Sequence, residues 1–114
     1  MNPYEALANG IIEQAAKDHR SAAKFLRRNP RNEILEKIVA RQIAERNALR
    51  AERKALGLKP EKGKTSREER KLNKIISCES MIVETERFFL SDWFTDLTEV
   101  DGAWLLENIK KKEA

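Results

Sequence analysis

The sequence has little of what most enzymes and secreted domains are built from. It holds one cysteine, Cys78, and one histidine, His19. A lone cysteine closes no disulfide within the chain and supplies no cysteine-based zinc site. It suits a reducing compartment. Three prolines and four glycines are too few for a turn-rich β fold. No apolar run approaches the roughly 20 residues that span a bilayer. The opening MNPYEALANGIIEQ has no basic region followed by an apolar one, so no signal peptide is expected. A cytoplasmic protein with no membrane partner follows. Phosphate-cradling GxxxxGK[ST] and GxGxxG loops, an HExxH helix and EF-hand spacing are all missing.

What the sequence does contain is charge and helix-forming residues. Charged residues make up 37% of the 114 and hydrophobic residues 40%, which favours long solvated helices. The charge is uneven. Residues 1–74 carry nineteen Lys and Arg against ten acids, and residues 75–114 four against nine. A basic front part steers towards phosphate or an acidic protein surface.

The helices can be placed from their punctuation. Asn2 caps a first helix over 3–29, with Pro3 at its first position. Tyr4, Leu7, Ile11, Ala15, Ala22 and Leu26 form its apolar stripe, and Asn29-Pro30 ends it. A second helix over 31–56 follows, with Ile34, Leu35, Ile38, Val39, Ile43, Leu49 and Leu56 as one buried edge. GLKPEKGKT (57–65) is a linker. Ser66 then opens a third helix over 66–90 in a capping box, with Glu69 reaching back. Helices two and three form a long antiparallel hairpin. Ser91 caps a short helix over 92–97. Thr98 and Asp101 have capping-box form for a last helix over 99–112, whose Lys110, Lys111 and Lys112 complement its dipole. The expected fold is all-α: the hairpin, with the N-terminal helix and the short C-terminal helices packed on it, as a single domain over 1–114. The hairpin arms are longer than the other segments can cover, so a homodimer or higher homo-oligomer is expected.

Catalysis has thin support. His19, within Lys17-Asp18-His19-Arg20, reads as a surface histidine, and Cys78 as a packed helix residue. Asp92, Asp96, Glu99 and Asp101 are better explained as helix-terminal acids than as a metal or acid–base pair. No catalytic residue, metal or cofactor is assigned. The positive feature is basic: Lys17, Arg20, Lys24, Arg27, Arg28 and Arg31, of which 20, 24, 27 and 31 recur at helical spacing. Arginine forks match phosphate oxygens, although a solvated helix face accounts for the same residues. A second basic region lies at the hairpin tip: Arg53, Lys54, Lys59, Lys62, Lys64, Arg67, Arg70, Lys71 and Lys74. The aromatic residues gather late in the chain. They form either a core or a partner-contact patch of Trp93, Phe94 and Trp104.

The segment Phe88-Phe89-Leu90-Ser91-Asp92-Trp93-Phe94 through Leu97-Thr98, then Asp101-Gly102 and Leu105-Leu106, resembles an FFxSxWFxxLTxxDGxxLL ending. That ending belongs to small, poorly characterised proteins of phages and prophages in Gram-positive bacteria. Lys24 to Asn32 resembles the KxLKKNPxN region of the same proteins. The resemblance implies a mobile-element setting but no catalytic residues. Together these features suggest a non-enzymatic binder that engages nucleic acid, or a host nucleic-acid-binding or defence complex, in an anti-defence or regulatory role. Two alternatives stay open: an oligomeric sponge for a signalling nucleotide, and a structural coiled-coil-like dimer with no ligand.

Overall fold

The computed structural model describes residues 2–59, 63 and 65–113. Among these are five helices, α1 (Pro3–Arg28), α2 (Glu33–Ala55), α3 (Arg67–Phe89), α4 (Asp92–Leu97) and α5 (Gly102–Glu113), and no strand. The fold is all-α. The chain divides into two compact units, Pro30–Ile75 and the combination of Met1–Asn29 with Ile76–Ala114. Helix α3 contributes its first part to one and its last part to the other.

Local chemistry sets the helix ends. The Asn2 side chain accepts from the Glu5 N–H at 2.8 Å, and Pro3 occupies the first helical position. Asn29 closes α1 by donating from its backbone and its side-chain amide to the Phe25 carbonyl, at 2.9 and 3.2 Å. Asn32 opens α2 at Glu33, two residues later than the expected start at Arg31, accepting from the Ile34 N–H at 2.8 Å. Ser91 serves two helices at once. Its hydroxyl donates to the Phe88 carbonyl at 2.6 Å and accepts from the Phe94 N–H at 3.2 Å. This link folds Phe94 back onto the end of α3.

The expected capping box at Thr98 and Asp101 does not form. Thr98 is held in extended backbone as the C-cap of α4, its N–H on the Phe94 carbonyl. Helix α5 therefore starts at Gly102, with Asp101 as its own cap, accepting from Ala103 N–H at 3.0 Å and Trp104 N–H at 3.4 Å.

In the unit Pro30–Ile75, α3 begins beside the middle of α2 rather than its end. The Ser66 hydroxyl accepts from the Glu69 N–H at 3.1 Å and donates to the Gln42 Oε1 at 2.5 Å. Glu69 does not reach back to Ser66 as the capping box requires. Its carboxylate forks with the Arg46 guanidinium at 2.9 and 3.1 Å, because that charged bidentate pair is stronger than a bond to one more amide. Val39, Leu72 and Ile75 are the buried apolar side chains among the described residues of this unit. The other expected members of the α2 edge divide. Leu35 and Ile43 are half-buried, whereas Ile34, Ile38, Leu49 and Leu56 are exposed. Since α3 starts level with Gln42 and Arg46, residues 47–52 are all exposed.

Replacing Ser66 with alanine removes the α3 cap and the Gln42 bond together. A loss of about 1–2 kcal/mol is expected, measured as a lower midpoint in urea unfolding.

The other unit is built around Phe89, Phe94, Leu106 and Ile109, with Ile12, Ala15, Ala16, Phe88 and Leu105 against them. Phe88 meets Phe94 nearly edge-on at 5.6 Å between ring centres and Trp93 at 5.3 Å. Helix α1 packs on α5. The late aromatic cluster is therefore largely core. Phe94, grouped with Trp93 and Trp104 as a partner contact, is 1% exposed and is not available to a partner. Trp93 and Trp104 remain 57% and 58% exposed.

Candidate functional site

Helix α1 has two faces of opposite character. On the outer one, Lys17, Arg20, Lys24, Arg27 and Arg28 are all exposed. At 3.6 residues per turn they share an arc of about 100° and extend over roughly 16 Å of helix. Lys17, Arg20, Lys24 and Arg28 make no ion pair with another described residue. Arg27 is committed elsewhere, donating to the backbone carbonyl of Glu113 at the end of α5.

Arg31 does not extend this stripe. Helix α1 ends at Arg28, so Arg31 lies in the connection to α2, where its guanidinium pairs with Glu36. The four-residue step from Arg27 to Arg31 would place them on one face only if the helix continued, and Pro30 prevents that.

Helix α5 adds a cation that the sequence placed only at a helix dipole. Lys112 and Arg20 line one groove between α5 and α1, about 240 Å³ in volume, together with the acid Glu13, the amide Asn108 and the apolar Ile12, Ala16, Leu105 and Ile109. The groove contains no aromatic side chain. Lys110 points another way and pairs with Glu86 of α3 at 2.9 Å.

On the inner face of α1 lies His19, 2% exposed and not a surface residue. Its Nδ1 is 2.7 Å from Glu113 Oε1 and its Nε2 is 3.4 Å from Glu86 Oε1. Glu113 is itself buried. Carboxylates thus stand at both ring nitrogens. The arrangement ties α1 to α3 and α5. The apolar stripe of α1 carried the signal for this: Ala15 and Ala22 stand four before and three after His19, so the histidine fills the gap in the stripe. Glu113, far off in sequence, gave no such sign.

The Lys110 ammonium, and after it the His19 ring, hold the Glu86 carboxyl below the usual glutamate range despite partial burial. A carboxyl depressed in the folded state contributes stability above its unfolded pKa and loses it as pH falls through the folded one. Lys110→Met is expected to lower stability at pH 7 by up to about 1 kcal/mol, since Lys110 is half-exposed. The gap from wild type should close in thermal melts taken below about pH 4. A gap unchanged at that pH contradicts this role.

At the hairpin tip, Lys62 and Lys64 lie outside the described residues. Arg53 donates to the Lys59 carbonyl at 3.1 Å, and Lys54, Arg67, Arg70, Lys71 and Lys74 are exposed. Two of the four late acids, Asp92 and Asp101, sit where helix ends use them. Asp92 lies in the first turn of α4, Asp101 caps α5, and the Asp96 backbone carbonyl accepts from the Tyr4 hydroxyl at 3.3 Å. Cys78 is half-buried on α3. Among the described residues, no group of three or more His, Cys, Asp or Glu side chains is placed to hold a metal ion. No helix among them is long and apolar enough to cross a membrane. No known protein family matches the chain, and neither does any curated protein or solved structure with which it was compared.

Proposed function

We propose that this chain is a non-enzymatic nucleic-acid-binding protein that tracks a phosphate backbone with the outer face of α1. The observation that carries this reading is the run of exposed Lys17, Arg20, Lys24 and Arg28, without an ion pair among the described residues, on one arc of a single helix, with Arg20 and Lys112 lining one groove. Cations spread over roughly 16 Å match the repeat of a backbone, with phosphates about 3.4 Å apart along the axis of one strand, better than the single phosphate cluster of a small nucleotide. The groove at Arg20 offers no ring on which a base stacks, so the nucleotide-sponge reading finds less support. The buried setting of His19, the first-turn place of Asp92 and the capping duty of Asp101 support a non-catalytic reading. The phage-like ending gives such binding an anti-defence or regulatory setting.

The test is a charge reversal read against salt. Arg20→Glu with Lys24→Glu is expected to weaken duplex binding by at least about tenfold and to reduce the slope of log K against log salt by about 2. Fluorescence anisotropy measures both. Reversing Arg67 and Arg70, which belong to the other unit, serves as the comparison. A larger loss from that pair than from Arg20 and Lys24 would move the site to the hairpin.

A further inference from the structure

In the unit formed by Met1–Asn29 and Ile76–Ala114, a groove of about 340 Å³ runs between α1, α3 and α4. That volume is in the range of small-molecule sites. Its apolar surface comes from Ile11 of α1, Met81 and Phe88 of α3 and Trp93 of α4. Phe88 is half-buried and meets Trp93 edge-on, while 57% of Trp93 stays open to solvent. The charged groups of the lining are two acids, Asp18 and Glu84, and among the described residues no lysine or arginine lines it. The Gln14 amide donates to one Asp18 oxygen at 2.8 Å, and neither carboxylate makes an ion pair with a described residue. In a chain of net charge +4, the groove is thus a place where the charge has the opposite sign.

The apolar and acidic groups are sorted along the groove. Tyr4 meets Asp96 and His19 meets Glu86, so α1 runs antiparallel to the stretch from α3 to α4. Ile11 therefore lies towards Trp93, and Asp18 towards Glu84 and Met81. Ile11 and Asp18 are about 10 Å apart along the helix axis. We infer that this groove binds a small organic cation, an ammonium group carried on an apolar body. The ammonium lies between the Asp18 and Glu84 carboxylates, and the body runs over Phe88 to Trp93. A neutral ligand of the same shape gains only the burial of its apolar surface. The cation adds charge-assisted hydrogen bonds to two carboxylates, one of them already held in place by Gln14. An anion meets two like charges instead. The groove side of α1 is turned roughly 130° from the arc of Lys17, Arg20, Lys24 and Arg28, so the inference does not rest on the nucleic-acid reading.

Trp93 reports occupancy once Trp104, the one other tryptophan, is replaced by phenylalanine. Octylamine, octanol and octanoate share one chain and differ in charge, and that chain, extended, is of a length with the groove. Titrated into Trp104→Phe protein at neutral pH and low salt, octylamine is expected to shift Trp93 fluorescence with a Kd about tenfold or more below that of octanol. Octanoate should bind more weakly than octanol. Asp18→Asn with Glu84→Gln should keep the helical circular dichroism and the octanol Kd, and bring the octylamine Kd to within about threefold of it. Glu84→Gln alone, at an exposed position, should remove part of the preference. Equal affinity for the three compounds, tighter binding of octanoate, no response to octylamine at millimolar concentration, or an amine preference that survives the double substitution would each overturn the inference.

Discussion

Alanine at Gly102 is expected to destabilise the protein by about 3 kcal/mol or more, the upper end for overpacking. A Cβ there would lie 1.8 Å from the Phe89 carbonyl oxygen and 3.0 Å from a ring carbon of Phe94. The first obstacle is backbone at the end of α3, which cannot rotate aside as a side chain does. Helix α5 would have to lift away from the Phe89–Phe94 pair at the centre of the core. The comparison is Gly10→Ala, in the interior of α1, where an added Cβ meets nothing within 4 Å. There the same change should stabilise by about 0.5–1 kcal/mol, by relieving the helix of a glycine. Two glycine-to-alanine changes of opposite sign, read by urea unfolding, separate close approach from helix propensity.

Removing His19 is the second large effect. His19→Ala leaves the Glu113 carboxylate buried without its 2.7 Å partner and loosens α1 from α5. Breaking a buried pair from one side costs about 3–5 kcal/mol. The lower end is expected, because Glu86 keeps Lys110. If the cost is an uncompensated charge rather than lost packing, the double variant His19→Leu with Glu113→Leu should be more stable than His19→Leu alone. A double variant no better than the single would assign the loss to packing.

Much of the helix layout was legible in the sequence, because caps are local. Asn2-Pro3, Asn29-Pro30, Ser66 and Ser91 mark their ends by hydrogen bonds to residues three or four away. What the sequence obscured was which side of each helix faces what. Ile34 and Leu35 are neighbours with opposite fates, exposed and half-buried, and a hydrophobicity pattern merges them into one edge. The late start of α3 beside Gln42 depends on how the linker returns, and composition does not encode that. Arg27 and Arg28 are both exposed at the end of α1, yet only Arg27 is drawn onto the end of α5. Phe94 and Trp93, also adjacent, divide into core and surface because Ser91 fixes the turn that precedes them.

The most direct test of the account is duplex binding by the wild-type protein at 50 and 200 mM salt, followed by anisotropy. If about four α1 cations neutralise phosphates, affinity should fall roughly 100-fold or more over that fourfold change in salt. Arg20→Glu with Lys24→Glu should flatten the dependence. Absence of binding at the lower salt, or binding indifferent to those two residues, would contradict the assignment of α1 as the nucleic-acid face.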